Sequence, residues 1–282
     1  MKYKIIENFI DKKTCEELIN HSRNIILNNN VDVININRKS ITSSSKLFSK
    51  LLESSENWQK LYKKINSEEF LDFCLKNLEC ADLKNKTSIV NFYNNEEINK
   101  RYQKHKNKSN MLIKNLSILS IIEYILKRLL RKIYKFGYLL KHTLKNKFAL
   151  ELLFDYSVAK KGYFREIHRD SDNRLIVFLL YLNSFEGSKD DEGNLMIYKR
   201  IKDDKNLSQP DEKSCELIKS ISPKEGKLII FLNSNDSYHA VKKIIDENQE
   251  RHFLYGAYTV LNKGNPFIDN KSKLKTNFNF YD

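Results

Sequence analysis

The sequence has no CxxC pair. Its four cysteines, Cys15, Cys74, Cys80 and Cys215, are widely scattered, which excludes a zinc ribbon and offers no disulfide framework, so a reducing cytoplasm is the expected setting. The opening Met1-Lys-Tyr-Lys-Ile-Ile-Glu-Asn-Phe lacks a basic stretch followed by an apolar run, and no secretory leader is expected from it. A long uncharged apolar run is missing too. The best candidate, Leu116 to Leu140, is interrupted by Glu123, Lys127, Arg128, Arg131, Lys132 and Lys135, which a membrane-spanning helix tolerates badly. No internal repeat is visible. Acidic residues are nearly absent from residues 101–150, where thirteen Lys or Arg face Glu123 alone; that segment carries about +12 of the formal net charge of +14. The basicity therefore belongs to one stretch and not to the chain as a whole.

What is present is enough apolar and aromatic residue in 282 positions to build one large domain with insertions. A short strand, Tyr3 to Ile6, precedes a helix that Asp11 can cap, with Cys15, Leu18, Ile19, Ile25 and Ile26 along one stripe. Residues 29–45 are rich in Asn and Ser and read as loop; residues 46–79 read as helix, broken near Ser54-Ser55. In the basic stretch Leu119, Ile122, Leu126, Leu129, Ile133, Phe136 and Leu140 recur in steps of three and four, with Lys127, Arg131 and Lys135 on another face. Such a helix either packs its stripe on the core or lies on an anionic surface, and packing is the expectation. The interleaved aromatics Tyr102, Tyr124, Tyr134, Phe136 and Tyr138 could stack on bases, but their helical spacing favours core, and nucleic acid is not an expected partner.

From Phe148 the texture turns to short β-branched and aromatic runs: Leu150–Val158, Leu175–Leu182, Leu195–Tyr198, Lys227–Leu232 and Phe253–Val260. Gly162, Gly187, Gly193 and Pro223-Lys-Glu-Gly226 punctuate them. Repeated short strands argue for a sandwich or barrel. Within this part stands Phe164-Arg-Glu-Ile-His168-Arg-Asp170. On a strand His168 and Asp170 face one side and Arg169 the other, so an imidazole and a carboxylate can take adjacent corners of one metal ion. An HxD alone is a weak signal. Here a second histidine follows a turn, a buried strand and a short loop in Pro223-Lys-Glu-Gly226-Lys-Leu-Ile-Ile-Phe231-Leu-Asn-Ser-Asn-Asp-Ser-Tyr-His239, and Arg251 opens another alternating strand. Two histidines and a carboxylate on a β scaffold suit ferrous iron with open coordination positions.

This order resembles the iron(II)- and 2-oxoglutarate-dependent dioxygenases, in particular the prolyl-4-hydroxylase-like branch, over roughly residues 150–260. The opening Ile5-Ile-Glu-Asn-Phe-Ile-Asp, Arg174-Leu-Ile-Val-Phe-Leu-Leu-Tyr181-Leu-Asn183 and Glu192-Gly193-Asn-Leu195 are similar to that branch's entry strand, post-HxD strand and Gly-Gly-x-Leu step. The resemblance implies an α+β fold, a double-stranded β-helix (jelly-roll or cupin-like) with N-terminal helices packed on it (1–100), a basic helical insertion (101–148), the catalytic core (149–262) and a C-terminal tail (263–282). It implies Fe(II) on His168, Asp170 and His239, the distal carboxylate of the cosubstrate 2-oxoglutarate on Arg251, and O2 as oxidant. The branch's oxoglutarate-binding tyrosine, nine residues before the first histidine, is here Ala159; Tyr156 and Tyr163 are the candidate replacements. Asp170 argues against halogenation, which needs that carboxylate replaced. Ala257 stands where AlkB-like nucleic-acid demethylases carry a second arginine. The implied activity is hydroxylation of an unactivated C–H; the expected substrate is a small molecule or an anionic glycan or surface-associated molecule, and contact of residues 116–140 with an anionic membrane surface is the alternative to their packing. The alternatives are prolyl hydroxylation of a protein partner and a non-catalytic binding module on the same fold; the oligomeric state stays open.

Overall fold

The computed structural model describes residues 1–28, 32–35, 37–90, 118–185, 191–202 and 208–269. Gly187, the first part of the expected basic insertion (101–117) and the tail beyond residue 269 lie outside the described residues.

Strand β1 (Tyr3–Ile6) leads into helix α1 (Lys12–Asn28), whose first turn Asp11 caps by accepting from the Thr14 amide at 2.8 Å. A hairpin follows, β2 (Asp32–Asn35) and β3 (Arg38–Thr42), where the sequence reads as loop. In β3 the residues turned into the protein beside the site are Arg38 and Ser40, so hydrophobic alternation does not announce that strand. Helices α2 (Lys46–Ser54), α3 (Glu56–Ile65) and α4 (Glu68–Asn77) each begin at a serine, Ser45, Ser55 and Ser67, whose hydroxyl accepts a first-turn amide. The expected break at Ser54-Ser55 is thus a capped helix start. Strand β4 (Thr87–Ile89) and helix α5 (Ile118–Leu144) precede the β-rich part. That part comprises β5 (Phe148–Ala159), β6 (Arg165–His168), β7 (Arg174–Tyr181), β8 (Leu195–Arg200), β9 (Cys215–Ile221), β10 (Leu228–Leu232), β11 (Tyr238–Val241) and β12 (Arg251–Val260).

These strands form two facing sheets, the double-stranded β-helix that the sequence leads one to expect. The larger runs β1-β10-β7-β12-β5-β3-β2 with β4 parallel to β5; the smaller runs β6-β11-β8-β9. Side-chain alternation gives the larger sheet two unlike faces. Phe154, Tyr156, Phe178, Leu180, Ile230, Leu254 and Tyr258 face outward and bury against Leu18, Phe48, Trp58, Phe70 and Leu71 of α1–α4. Inward, Leu179, Tyr181, Ile229 and Phe253 meet Leu195 and Ile197 of the smaller sheet. The helices therefore support one sheet from behind and leave the space between the sheets for a site.

One outward contact admits no side chain. On β12 Gly256 stands opposite Phe178 of β7, and a Cβ there would come within 1.9 Å of the Phe178 ring. Gly256→Val should destabilise the protein by about 1–3 kcal/mol through overpacking, read as a lowered denaturation midpoint with unchanged slope. An unchanged midpoint would mean that the ring simply moves aside.

Among the described residues no helix is long and apolar enough to cross a membrane. For the part of helix α5 whose side chains are described, the expectation of core packing is not met, since none of them is buried; the side chains of Leu119, Ile122 and Leu126 lie outside the described residues. None of the four cysteines forms a disulfide.

Candidate metal and cosubstrate site

Two paired strands and the loop after one of them bring the candidate ligands together. His168 ends β6, His239 lies directly opposite it on β11, and Asp170 follows two residues after His168 in the loop leading to β7. One ligand atom from each of the three lies within 4.8 Å of the other two. The imidazole centroids are 4.3 Å apart, and Phe231 backs His239 at 4.9 Å. Each ring is oriented by its own strand: His168 Nδ1 donates to the Glu166 carbonyl at 2.8 Å, and His239 Nδ1 donates to the Ser237 carbonyl at 3.1 Å. With the proton fixed on Nδ1, each Nε2 keeps its lone pair for a metal. Burial, with His239 beside it, pushes the His168 imidazole down to about 3, and burial also lowers His239. Both rings are neutral near pH 7, the form a metal needs.

Asp170 is held differently at its two oxygens. Oδ1 accepts from Arg174 Nη1 and, at 3.2 Å, from the Tyr255 hydroxyl. Oδ2 is buried with no hydrogen-bond donor and lies 3.6 Å from His239 Nε2. Burial opposes ionisation, yet the Arg174 guanidinium and the Tyr255 hydroxyl favour the carboxylate, and the carboxyl lies below its ordinary range. A buried anionic oxygen without a donor is costly unless a cation completes it. The donor set of two imidazoles and one carboxylate oxygen fits Fe(II) with open positions.

The second half of the site lies further along β12, where Arg251, Phe253 and Tyr255 alternate on the inner face. Arg251 is 1% exposed. Its Nη2 donates to the Tyr181 hydroxyl at 2.8 Å, its guanidinium lies between the Tyr181 and Phe253 rings at 4.9 and 4.8 Å, and Nε and Nη1 are buried without an acceptor. Two free donors on a buried fork are what a carboxylate requires. Tyr163 lies in the same inner cluster as Tyr181 and Phe253.

Tyr156 does not join this site. It faces outward against Trp58, and its hydroxyl meets His252 Nδ1 at 2.8 Å. The reason is parity: Asp155 and Ser157 take the inward positions of β5, which turns Tyr156 to the helix side together with Phe154. His252 is structural there, linking Tyr156 to Glu250 at 3.2 Å, and burial lowers it to about 4.

Two inward residues escape a reading by motif. Tyr181 sits at the end of an apolar run, and only its odd-numbered parity with Val177 and Leu179 marks it. Arg38 has no motif. From β3 it stands opposite Ala159, which stands opposite Arg251 on the other side. Its Nε and Nη2 donate to Ser157 Oγ at 3.0 and 2.8 Å, Ser40 Oγ bonds the same hydroxyl at 2.8 Å, and Asp155 Oδ2 is 4.0 Å from Nη2. The Arg38 Cζ lies 5.2 Å from the Phe253 ring centroid and 6.0 Å from that of Tyr255. Two buried guanidinium groups, Arg38 and Arg251, thus lie close to the Phe253 ring.

The profile of the 2OG-Fe(II) oxygenase superfamily matches residues 154–258. No curated protein sequence matches the chain. Among solved structures it is similar to a prolyl-4-hydroxylase from Pseudomonas putida (13% identity, 92% of this chain and 93% of that one, TM-score 0.44). It is similar to the viral collagen prolyl hydroxylase of Paramecium Bursaria Chlorella virus-1 (13%, 93% and 97%, 0.44), and to a prolyl 4-hydroxylase from Phytophthora capsici (13%, 94% and 61%, 0.49). With His168, Asp170, His239, Tyr181 and Arg251 all inside the matched span, residues 154–258 form an oxygenase domain of the 2OG-Fe(II) superfamily.

Proposed function

We propose that this oxygenase hydroxylates an unactivated C–H of a small anionic molecule or acidic glycan, and that it works in the cytoplasm, a setting suited by four cysteines of which none forms a disulfide. His168, Asp170 and His239 hold Fe(II), and Arg251, anchored by Tyr181, receives the distal carboxylate of 2-oxoglutarate. Bound iron and cosubstrate supply the oxidation, in which 2-oxoglutarate and O2 give succinate, CO2 and a hydroxylated product. The chain's own part is to orient and to exclude water. Arg174 and Tyr255 fix Oδ1 of Asp170 and leave Oδ2 for the metal, and the inner cluster of Leu179, Tyr181, Ile229 and Phe253 keeps the Arg251 end dry.

The observation that favours an anionic substrate is Arg38. A guanidinium only 8% exposed stands inside the site, oriented by Ser157 and Ser40, while the nearest carboxylate oxygen of its neighbour Asp155 is 4.0 Å away. A peptidyl proline offers it only a neutral carbonyl and no charge. A carboxylate, sulfate or phosphate does.

The test is succinate release under air by protein loaded anaerobically with Fe(II), against compounds offered as charged and neutral pairs and against a proline-rich peptide. Anionic members should stimulate turnover, and Arg38→Met should raise their KM about 10- to 100-fold, as loss of a charge-assisted contact does. The anionic reading fails if only the peptide stimulates turnover, or if Arg38→Met leaves the KM of the best anion unchanged. A wild type that never consumes 2-oxoglutarate would instead promote a non-catalytic binding role.

A further inference from the structure

Helix α5 is 27 residues long, about 40 Å, and carries six of the large apolar side chains exposed among the described residues. Leu129, Ile133, Phe136, Leu140 and Leu144 follow one another in steps of four, three, four and four, with exposures from 44% for Leu140 to 79% for Leu144. At the helical repeat these five fall within an arc of about 80°. On the same projection Lys132 and Lys141 flank the stripe on either side, and Lys135 stands nearly opposite. Nothing lies within 4 Å of where a Cβ on Gly137 would be. The helix is tied to the barrel at its C-terminal end: Asn262 Nδ2 donates to the Lys147 carbonyl at 2.8 Å and to Thr143 Oγ1 at 3.1 Å, and Asn262 Oδ1 accepts from the Ala149 amide at 2.9 Å.

We infer that α5 is a surface-docking helix for an anionic phospholipid bilayer, its apolar stripe lying in the interface and its lysines at headgroup level. Charge decides the occupant. Residues 101–150 hold thirteen Lys or Arg and one acid, which an anionic lipid surface complements along its whole length. A second copy laid stripe on stripe would instead bring the flanking lysines of both helices together. A stripe bordered by lysines, with an aromatic among its aliphatic residues, is the form of an interfacial helix rather than of one buried in protein. The root of α5 also lies at the metal end of the barrel. Leu150 pairs with Val260, whose amide donates at 2.7 Å to the carbonyl of Asn173, three residues beyond Asp170.

The experiment is co-sedimentation of the full chain with sucrose-loaded vesicles of phosphatidylcholine alone, or containing about a third phosphatidylglycerol. The protein should pellet with the anionic vesicles, at least about tenfold less with neutral ones, and less again at high salt. Ile133→Glu with Phe136→Glu should abolish binding, and Lys132→Glu, Lys135→Glu and Lys141→Glu together should weaken it about a hundredfold. Succinate formation without vesicles should be unchanged in every variant, which separates this inference from the catalytic one. Equal binding to both vesicle types, no binding to either, or binding indifferent to these changes overturns it. So does a wild-type dimer in light scattering that Ile133→Glu turns into a monomer, which would assign the stripe to a second copy.

Discussion

Asp170→Asn should remove iron binding and turnover together while leaving the fold in place. The side chain keeps its shape, so the packing beneath β7 is preserved. What changes is Oδ2, the buried oxygen that no donor satisfies and that lies 3.6 Å from His239 Nε2. As a carboxylate it provides the one negative charge of the ligand set, and an amide provides none. Loss of a partner around a metal site typically costs 10- to 100-fold in affinity; loss of the anionic ligand itself should exceed about a hundredfold. Anaerobic Fe(II) titration would read the affinity, the visible charge-transfer band formed with 2-oxoglutarate would read assembly, and succinate would read turnover. His252 supplies the control. It too is a buried histidine, yet it faces the helices and bonds Tyr156, so His252→Gln should leave iron affinity unchanged. Equal Fe(II) affinity in Asp170→Asn and wild type would refute the ligand assignment. Equal loss in His252→Gln would show that general damage, not coordination, is being measured.

The contrast between those two histidines also shows what a sequence can disclose. His168, Asp170 and His239 are legible because metal ligation demands particular residue types, and a strand fixes which neighbours share a side. β7 and β10 are legible because both faces are buried and the run is continuously apolar. The same property hides parity. β5 is buried on both faces over much of its length, so hydrophobicity does not tell which way Tyr156 turns. The polar pair Asp155 and Ser157 carries that information, since both turn toward the interior where Arg38 lies. The β2–β3 hairpin is hidden for a related reason. Its inward residues, Arg38 and Ser40, are polar because the interior they line is polar, and an Asn- and Ser-rich stretch then reads as loop. The stripe of α5 is plain in the sequence, but periodicity only states that a surface is apolar; it does not name what covers it.

Arg251→Gln should weaken 2-oxoglutarate binding about a hundredfold or more without changing Fe(II) affinity. The guanidinium is 1% exposed, one nitrogen is committed to Tyr181, and two buried donors remain for a carboxylate. Paired charge-assisted hydrogen bonds in such a setting contribute roughly 3 kcal/mol or more, which is the stated factor. Tyr181→Phe leaves the fork in place but unanchored. It should raise the KM for 2-oxoglutarate by about tenfold with kcat little altered, the pattern of lost uniform binding. The decisive comparison uses 2-oxopentanoate, which has the same chain length and chelating end but no distal carboxylate. Wild type should prefer 2-oxoglutarate strongly, and Arg251→Gln should bind the two acids within a few-fold of each other, since the distal group then has no partner. Titrating the charge-transfer band at saturating Fe(II) measures this free of turnover. If Arg251→Gln keeps the wild-type preference, the distal carboxylate binds elsewhere, and Arg38, the other guanidinium close to the Phe253 ring, is the residue to substitute next. If the preference collapses while Arg38→Met preserves it, the two buried arginines divide the site between them, Arg251 for the cosubstrate and Arg38 for the substrate.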